Sequence, residues 1–328
     1  MRRIVDSLQQ RVVAAKRLPT PMNGRRASIA AIFRRTPCGN EQCLFIRRTA
    51  SPTDPWSGNV ALPGGRQDPL DADDDVVTAM RETREETGLD LSNESEWVCL
   101  GRLTDDRVNR HSRRPLVVSM IGFAARNSTA EPPALQPCPT EVSDAWWVNT
   151  KYIDPQRLVW RRVPLDELVH GLQKVPIVPY VVRWLGCERV DFAAIDLPPP
   201  PPASPASADA AAPAASDAAD AAAVAVAAGR ALDCPLRQRY QLWGLTLGFF
   251  SDVYRASAHS QPLVGAGAPE PYAQAFRPAS GTRLAAVGFR ILAALRLHGL
   301  QRVAIGAAAA ITGTTIVTAI AFAGAGAT

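Results

Sequence analysis

In the run Arg81-Glu82-Thr83-Arg84-Glu85-Glu86-Thr87-Gly88-Leu89, three carboxylates recur at i, i+3 and i+4. On a helix, Glu82, Glu85 and Glu86 share one face and crowd each other within a turn. Like charges at that spacing destabilise an isolated helix by roughly 0.2–0.5 kcal/mol per pair. A hard divalent cation, which takes carboxylate and carbonyl oxygens, would offset the repulsion. Just upstream, Leu62-Pro63-Gly64-Gly65 reads as the end of a strand entering a tight Gly-Gly turn. A turn carbonyl there, at Gly65, could add one more oxygen ligand. For three isolated glutamates, the alternative is a solvated acidic helix face.

The larger arrangement is Gly64-Gly65, an acidic loop, then Arg-Glu-x-x-Glu-Glu-x-Gly-Leu from Arg81 to Leu89. It resembles the Nudix box of Nudix hydrolases: Gly, five residues, Glu, seven residues, then Arg-Glu-aliphatic-x-Glu-Glu-x-Gly-aliphatic. The second half matches at every fixed position except Thr83, where the pattern has an aliphatic residue. The first half is looser. Counting forward from Gly65 puts Asp71 at the first acidic position, whereas counting back from Arg81 puts Asp73 there.

The resemblance implies an α/β fold, the Nudix α/β/α sandwich with a mixed sheet between helices. It also implies Mg²⁺ or Mn²⁺ held by Glu82, Glu85 and Glu86 with Gly65, and Arg81 orienting the glutamates. Glu82, Glu85, Arg81 and Glu141 are the implied catalytic residues, Glu141 being a base or further ligand outside the box, with an ordinary loop carboxylate as its alternative. The implied reaction is hydrolysis of a nucleoside diphosphate linked to another group. Within the family the chain is most similar to coenzyme A pyrophosphatases. The likeness runs through Leu62-Pro63-Gly64-Gly65-Arg66-Gln67-Asp68-Pro69, Thr78-Ala79-Met80-Arg81-Glu82-Thr83 and the late Trp243-Gly244-Leu245-Thr246. That points to coenzyme A or acyl-coenzyme A as substrate, with Arg48 and Arg66 as candidate substrate contacts. The element that this branch carries before its box drifts here, although Arg48 and the glycine spacing remain. Another substrate (ADP-ribose, NADH, a dinucleotide) and a non-catalytic, membrane-tethered Nudix-fold binding module are therefore the alternatives.

The elements that must position these groups are legible from patterning. Ala27–Phe33 and Cys43–Ile46 read as a strand pair closed by Arg47 and Arg48, and Val60–Leu62 as a short strand. Glu96–Leu103 is strand-like. The apolar run Leu116–Ala124 reads as a buried central strand. Trp146 and Trp147 would point to opposite faces of a strand after Glu141, leaving one in the core. Pro164–Leu172 looks helical, and Val175–Phe192 holds one or two strands. Trp56 reads as a packing anchor of its loop, and His111, with Arg110, Arg113 and Arg114, lies in a polar loop.

At 328 residues the chain can hold one or two domains. A net charge of +5, spread without a dense basic block, argues against nucleic acid as a partner. The six cysteines show no Cys-x-x-Cys pair, and read as reduced, mostly buried thiols of an intracellular protein. The organisation expected is an amphipathic or targeting segment at 1–25, the Nudix domain at 26–197, an Ala/Pro-rich insertion at 198–235, and the domain's closing helix at 236–256. A linker with an amphipathic helix follows at 257–302. Residues 303–328 carry no charge and are long enough to cross a bilayer core of about 30 Å, so they read as a transmembrane tail anchor. Such an anchor would place the protein on a mitochondrial or peroxisomal membrane with the catalytic domain in the cytosol. The Arg-rich N-terminus also fits mitochondrial targeting. The oligomeric state stays open.

Overall fold

The computed structural model describes residues 15–51, 57–109, 115–127, 134–164, 189–201, 240–256 and 276–278. The N-terminal helix, Trp56, His111, the helix expected at 164–172, most of the insertion, the amphipathic helix within 257–302 and the tail lie outside the described residues. Among the described residues no helix is long and apolar enough to cross a membrane.

The frame is β1 (Arg25–Arg35), an apolar strand that meets three partners. Its second half forms an antiparallel pair with β2 (Glu41–Arg48), and its first half pairs with β4 (Gly64–Arg66). Along its other edge it runs parallel to β7 (Leu116–Ala125), from Arg25↔Leu116 to Phe33↔Ala124. Beyond these, β3 (Val60–Ala61) and β8 (Val142–Asn149) pair with β2, while β5 (Trp97–Arg102) and β6 (Arg107–Asn109) pair with β7. The result is a mixed, eight-stranded sheet. The expected strands after Ala27, Cys43 and Leu116 are present, and Trp146 is the tryptophan that enters the core.

Helices cover both faces. Helix α1 (Asp75–Thr87) packs Ala79, with Leu89 and Leu91 just beyond it, on Ala30, Ile32, Leu44 and Phe123. Helix α2 (Gly244–Ala256) packs Leu247, Phe249, Phe250 and Val253 on Ala31, Phe33, Phe45 and Met120. Alternating side chains of β1 thus serve two cores, as a strand buried on both faces must. Arg107 of β6 fastens α2: it donates to the Gly248 carbonyl at 2.9 Å, pairs with Asp252 and lies over the Phe249 ring at 5.1 Å. The fold is therefore a helix–sheet–helix sandwich.

Two features depart from the sequence reading. A second, four-stranded sheet joins β9 (Leu158–Pro164), β10 (Arg189–Asp196), β11 (Gln241–Trp243) and β12 (Phe276–Pro278). The pattern around Leu158-Val159-Trp160 was too short to announce β9. The Gly64-Gly65 pair is strand, not turn. A Cβ on Gly64 would stand 2.3 Å from the Ser28 carbonyl oxygen and 2.5 Å from the Ile29 Cα, so the glycine exists for close approach of two backbones. The thiols also differ: Cys43 is buried, but Cys38 and Cys99 are exposed.

Gly64→Ala should lower stability by about 2 kcal/mol or more. Its φ of +144° is closed to alanine and its neighbours are backbone atoms that cannot swing away. Equilibrium denaturation against the parent protein checks this; an unchanged midpoint would refute the close-approach account.

Candidate active site

Helix α1 is built to hold its face rigidly against β4. Asp74 caps it, accepting from the Val76 N–H at 2.7 Å and from Val77, and Gly88 ends it at φ 73° with its N–H on the Arg84 carbonyl. Thr83, the departure from the aliphatic pattern, is fully buried. Its hydroxyl is satisfied by the Ala79 carbonyl one turn back at 2.7 Å, leaving its methyl to pack.

Arg81 is the centre of the arrangement. Its Nε and Nη2 donate to the two oxygens of Asp71, both at 2.9 Å, in a bidentate pair. Nη2 also donates to the Arg66 carbonyl at 2.9 Å and lies 3.1 Å from Glu82 Oε1, while Nη1 donates to Glu85 at 2.9 Å. Asp71 is 1% exposed and accepts as well from the Thr78 hydroxyl and the Asp68 N–H. The bond from Arg81 is the largest cause that holds its carboxyl down at about 2. Asp71, not Asp73, is therefore the acid facing Arg81. Ala72 and Asp73, both at positive φ, form the bulge that lengthens the loop, and Asp73 pairs with Arg17 instead.

The glutamates differ in setting. Glu86 is 1% exposed, accepts from the Gly64 N–H at 2.8 Å, and is pushed up to about 8 by burial. The charges of Glu82 and Glu141 reinforce that rise, and Arg48 opposes it. Glu82 is also raised, by burial first, against the pull of Arg81. Its carboxylate lies directly on Gly65, where a Cβ would come within 2.2 Å of Oε2. Glu85 is half exposed. Glu141 is exposed on the turn before β8. That turn is tied to the end of α1 by the Cys138 N–H on the Glu86 carbonyl, and the Glu141 carbonyl accepts from Thr49 beside Arg48. The structure thus brings Arg81, Glu82, Glu85, Glu86, Gly65, Glu141 and Arg48 into one neighbourhood.

Arg66 contributes its carbonyl to Arg81. By strand alternation its exposed side chain leaves β4 on the side opposite Gly65 and Glu82. It is the one sequence candidate whose side chain is not among the carboxylates.

Among the described residues, no three or more His, Cys, Asp or Glu side chains are gathered as a ready metal site. Arg81 takes up Glu82 and Glu85, and the Gly64 N–H takes up Glu86. The donor chemistry nonetheless suits a hard cation: carboxylate oxygens on one helix face, next to a carbonyl-lined strand.

Sequence reasoning missed a second charged cluster, which anchors the start of α1. Asp75 accepts from Arg26 Nε (2.6 Å), Arg102 Nη2 (2.6 Å) and Arg17 Nε (3.0 Å), and Asp106 pairs with both Arg26 and Arg102. These arginines hold the Asp75 carboxyl below its usual range against the cost of burial. The available signal was Arg26 itself, a charge inside an otherwise apolar strand, which must find a partner when buried.

Residues 24–169 match the model of the NUDIX domain. This segment is a NUDIX domain. A human protein, "Mitochondrial coenzyme A diphosphatase NUDT8", is 35% identical over 104 residues, which make up 31% of this chain and 39% of that protein. "Uncharacterized protein C14C4.10c" of Schizosaccharomyces pombe is 51% identical over 51 residues, 16% of this chain and 15% of that one. The chain therefore spans well under half the length of these curated relatives. A solved NUDIX hydrolase from Alicyclobacillus acidocaldarius is 21% identical with a TM-score of 0.30, over 41% of this chain and 82% of that one.

The depressed Asp71 carboxyl predicts an acid limb to stability. A folded pKa near 2 lies below the unfolded value near 3.8, so the contribution is complete above about pH 4 and is lost as pH falls towards 2. Asp71→Asn should cost about 2 kcal/mol at pH 7 and flatten that limb. Denaturant midpoints from pH 7 to 2 read both effects, and parallel curves for the two proteins would contradict them.

Proposed function

We propose that this chain hydrolyses the diphosphate bond of coenzyme A or acyl-coenzyme A, giving 3′,5′-ADP and the (acyl)phosphopantetheine, with Mg²⁺ or Mn²⁺ held by the NUDIX domain's glutamates. The observation that carries this reading is the Arg81 network, which sets Glu82 and Glu85 beside the Gly65 strand and Glu86 within a segment matched by the NUDIX model. The description of the human relative as a coenzyme A diphosphatase supports the substrate class.

Glu82, Glu85 and Glu86, with the Gly65 carbonyl, are the groups that would hold the ion. When bound, such an ion neutralises diphosphate charge and lowers the pKa of a coordinated water. The chain's own contribution is orientation. Arg81 fixes Glu82 and Glu85 through charge-assisted bonds. Gly65 leaves room for the Glu82 carboxylate where any side chain would displace it. Glu141, exposed and electrostatically coupled to Glu82 and Glu86, is placed to take a proton from the attacking water. Arg48, already reaching Glu86 with its charge, is placed to meet a phosphate oxygen.

The test is Mg²⁺-dependent turnover by the full chain on coenzyme A, acyl-coenzyme A, NADH, ADP-ribose, diadenosine polyphosphates and nucleotide sugars. Release of 3′,5′-ADP from coenzyme A, ahead of cleavage of the others, is expected. Preference for another diphosphate would remove the substrate assignment, and no turnover on any would move the domain to a binding role.

Attachment to a mitochondrial or peroxisomal membrane through residues 303–328 is part of the same reading, with the catalytic domain left on the cytosolic side. Its support is the uncharged run after Arg302. Removing 303–328 should shift the protein from the membrane to the soluble fraction of lysed cells; an unchanged membrane fraction would refute the anchor.

A further inference from the structure

The stretch that carries Glu141 is neither helix nor strand from residue 134 to residue 141. It crosses the C-terminal end of α1, where the Gln136 N–H donates to the Thr87 carbonyl at 2.8 Å and the Cys138 N–H to the Glu86 carbonyl at 3.1 Å. Carbonyls in the last turn of a helix lack intrahelical donors, and here a distant stretch of chain supplies them. The Cys138 carbonyl then accepts from the Glu141 N–H at 3.0 Å and the Val142 N–H at 2.8 Å, closing a tight turn. One side of that turn is thereby fixed to Glu86.

The other side is held by Thr49. Its hydroxyl donates to the Pro139 carbonyl and its N–H to the Glu141 carbonyl, both at 2.9 Å. Thr49 directly follows Arg48, whose own N–H and carbonyl are bonded to the Asn59 carbonyl and the Gly58 N–H. The chain is therefore anchored up to the residue that grips the turn. A β-bulge sets which residue Thr49 meets. The β2–β8 register steps from Arg47↔Asp144 to Arg48↔Val142, so Ser143 is the extra residue, and its hydroxyl donates to the Arg47 carbonyl at 3.3 Å. Without the bulge Thr49 would face Val142; with it, Thr49 faces Glu141. Bulges of this kind re-aim the residues beside them.

We propose that Thr49 is a positioning residue for hydrolysis, holding the turn so that Glu141 keeps a fixed place relative to Arg48 and Glu86. It acts through Glu141, and so rests on the reading of Glu141 as the group that takes the proton from water. The hydroxyl is the separable part of the device, because any residue at this position keeps the N–H bond except proline.

The experiment measures steady-state turnover of the full chain with Mg²⁺, on coenzyme A or on whichever diphosphate of the panel is cleaved fastest, together with amide hydrogen exchange. Thr49→Val, which keeps the shape and loses the hydroxyl, should lower kcat about tenfold with KM within twofold, since small displacements of a reacting group are costly. Thr49→Ser should restore most of the loss. Glu141→Gln should lower kcat by a hundredfold or more. Adding Thr49→Val to Glu141→Gln should then lower it no further, because both changes act on one group. Exchange of the Glu141 and Val142 amides should quicken severalfold in Thr49→Val, a readout that needs no turnover. Unchanged exchange would overturn the proposal, as would full kcat in Thr49→Val, a rise in KM alone, or losses that multiply in the double variant. Full turnover by Glu141→Gln would instead remove Glu141 from the hydrolase reading, and this role of Thr49 with it.

Discussion

The guanidinium of Arg81 is shared among Asp71, Glu82, Glu85 and the Arg66 carbonyl, and the rest of the candidate site follows from that sharing. Acids crowded on one helix turn repel in a setting partly closed to water, where their interaction is stronger than in bulk solvent. Arg81 answers that repulsion from the side of the loop. It also ties the loop, the strand and the helix face to one planar group. Asp71 orients Arg81, and Arg81 in turn orients Glu82 and Glu85. Glu86 is held separately by the Gly64 N–H and is the most buried of the three.

That sharing works only because the sheet brings β4 under the helix. Gly64 lets the strand lie against the β1 backbone, and Gly65 lets the Glu82 carboxylate rest on the strand itself. The Asp75–Arg26–Asp106–Arg102 cluster then fixes the first turn of α1 to β1 and to the segment after β5. Buried ion pairs of this kind add little net stability, yet breaking one partner is costly, so they hold geometry more than they add energy. The helix is clamped at its start by charge, along its middle by Ala79 packing, and at its end by the Gly88 cap.

What could be read in the sequence was what has local causes. The i, i+3, i+4 glutamates, the apolar run of β7 and the strand pair closed by Arg47 and Arg48 depend on short-range periodicity, and they stand where expected. What could not be read depends on contacts distant in the chain. The Gly-Gly pair has the composition of a turn, and only the proximity of Ser28 and Ile29 makes it a strand. The choice of Asp71 over Asp73 rests on the bulge at Ala72 and Asp73. Arg66 looked like a substrate contact because of its place in the motif, but alternation on β4 sends its side chain to the other side. The Asp75 cluster joins residues from four separate segments, and no single stretch announces it.

The central claim is that the Glu82 carboxylate, seated on Gly65, is a working part of a diphosphate hydrolase. The most direct measurement is Mg²⁺-dependent release of 3′,5′-ADP from coenzyme A by Gly65→Ala, alongside its thermal midpoint. The added methyl meets only the end of a flexible side chain, so the protein should stay folded with its midpoint little changed. Glu82 must move aside, and turnover should fall by about a hundredfold or more, in keeping with the cost of misplacing a group by an ångström. A folded Gly65→Ala protein with undiminished turnover would contradict the account.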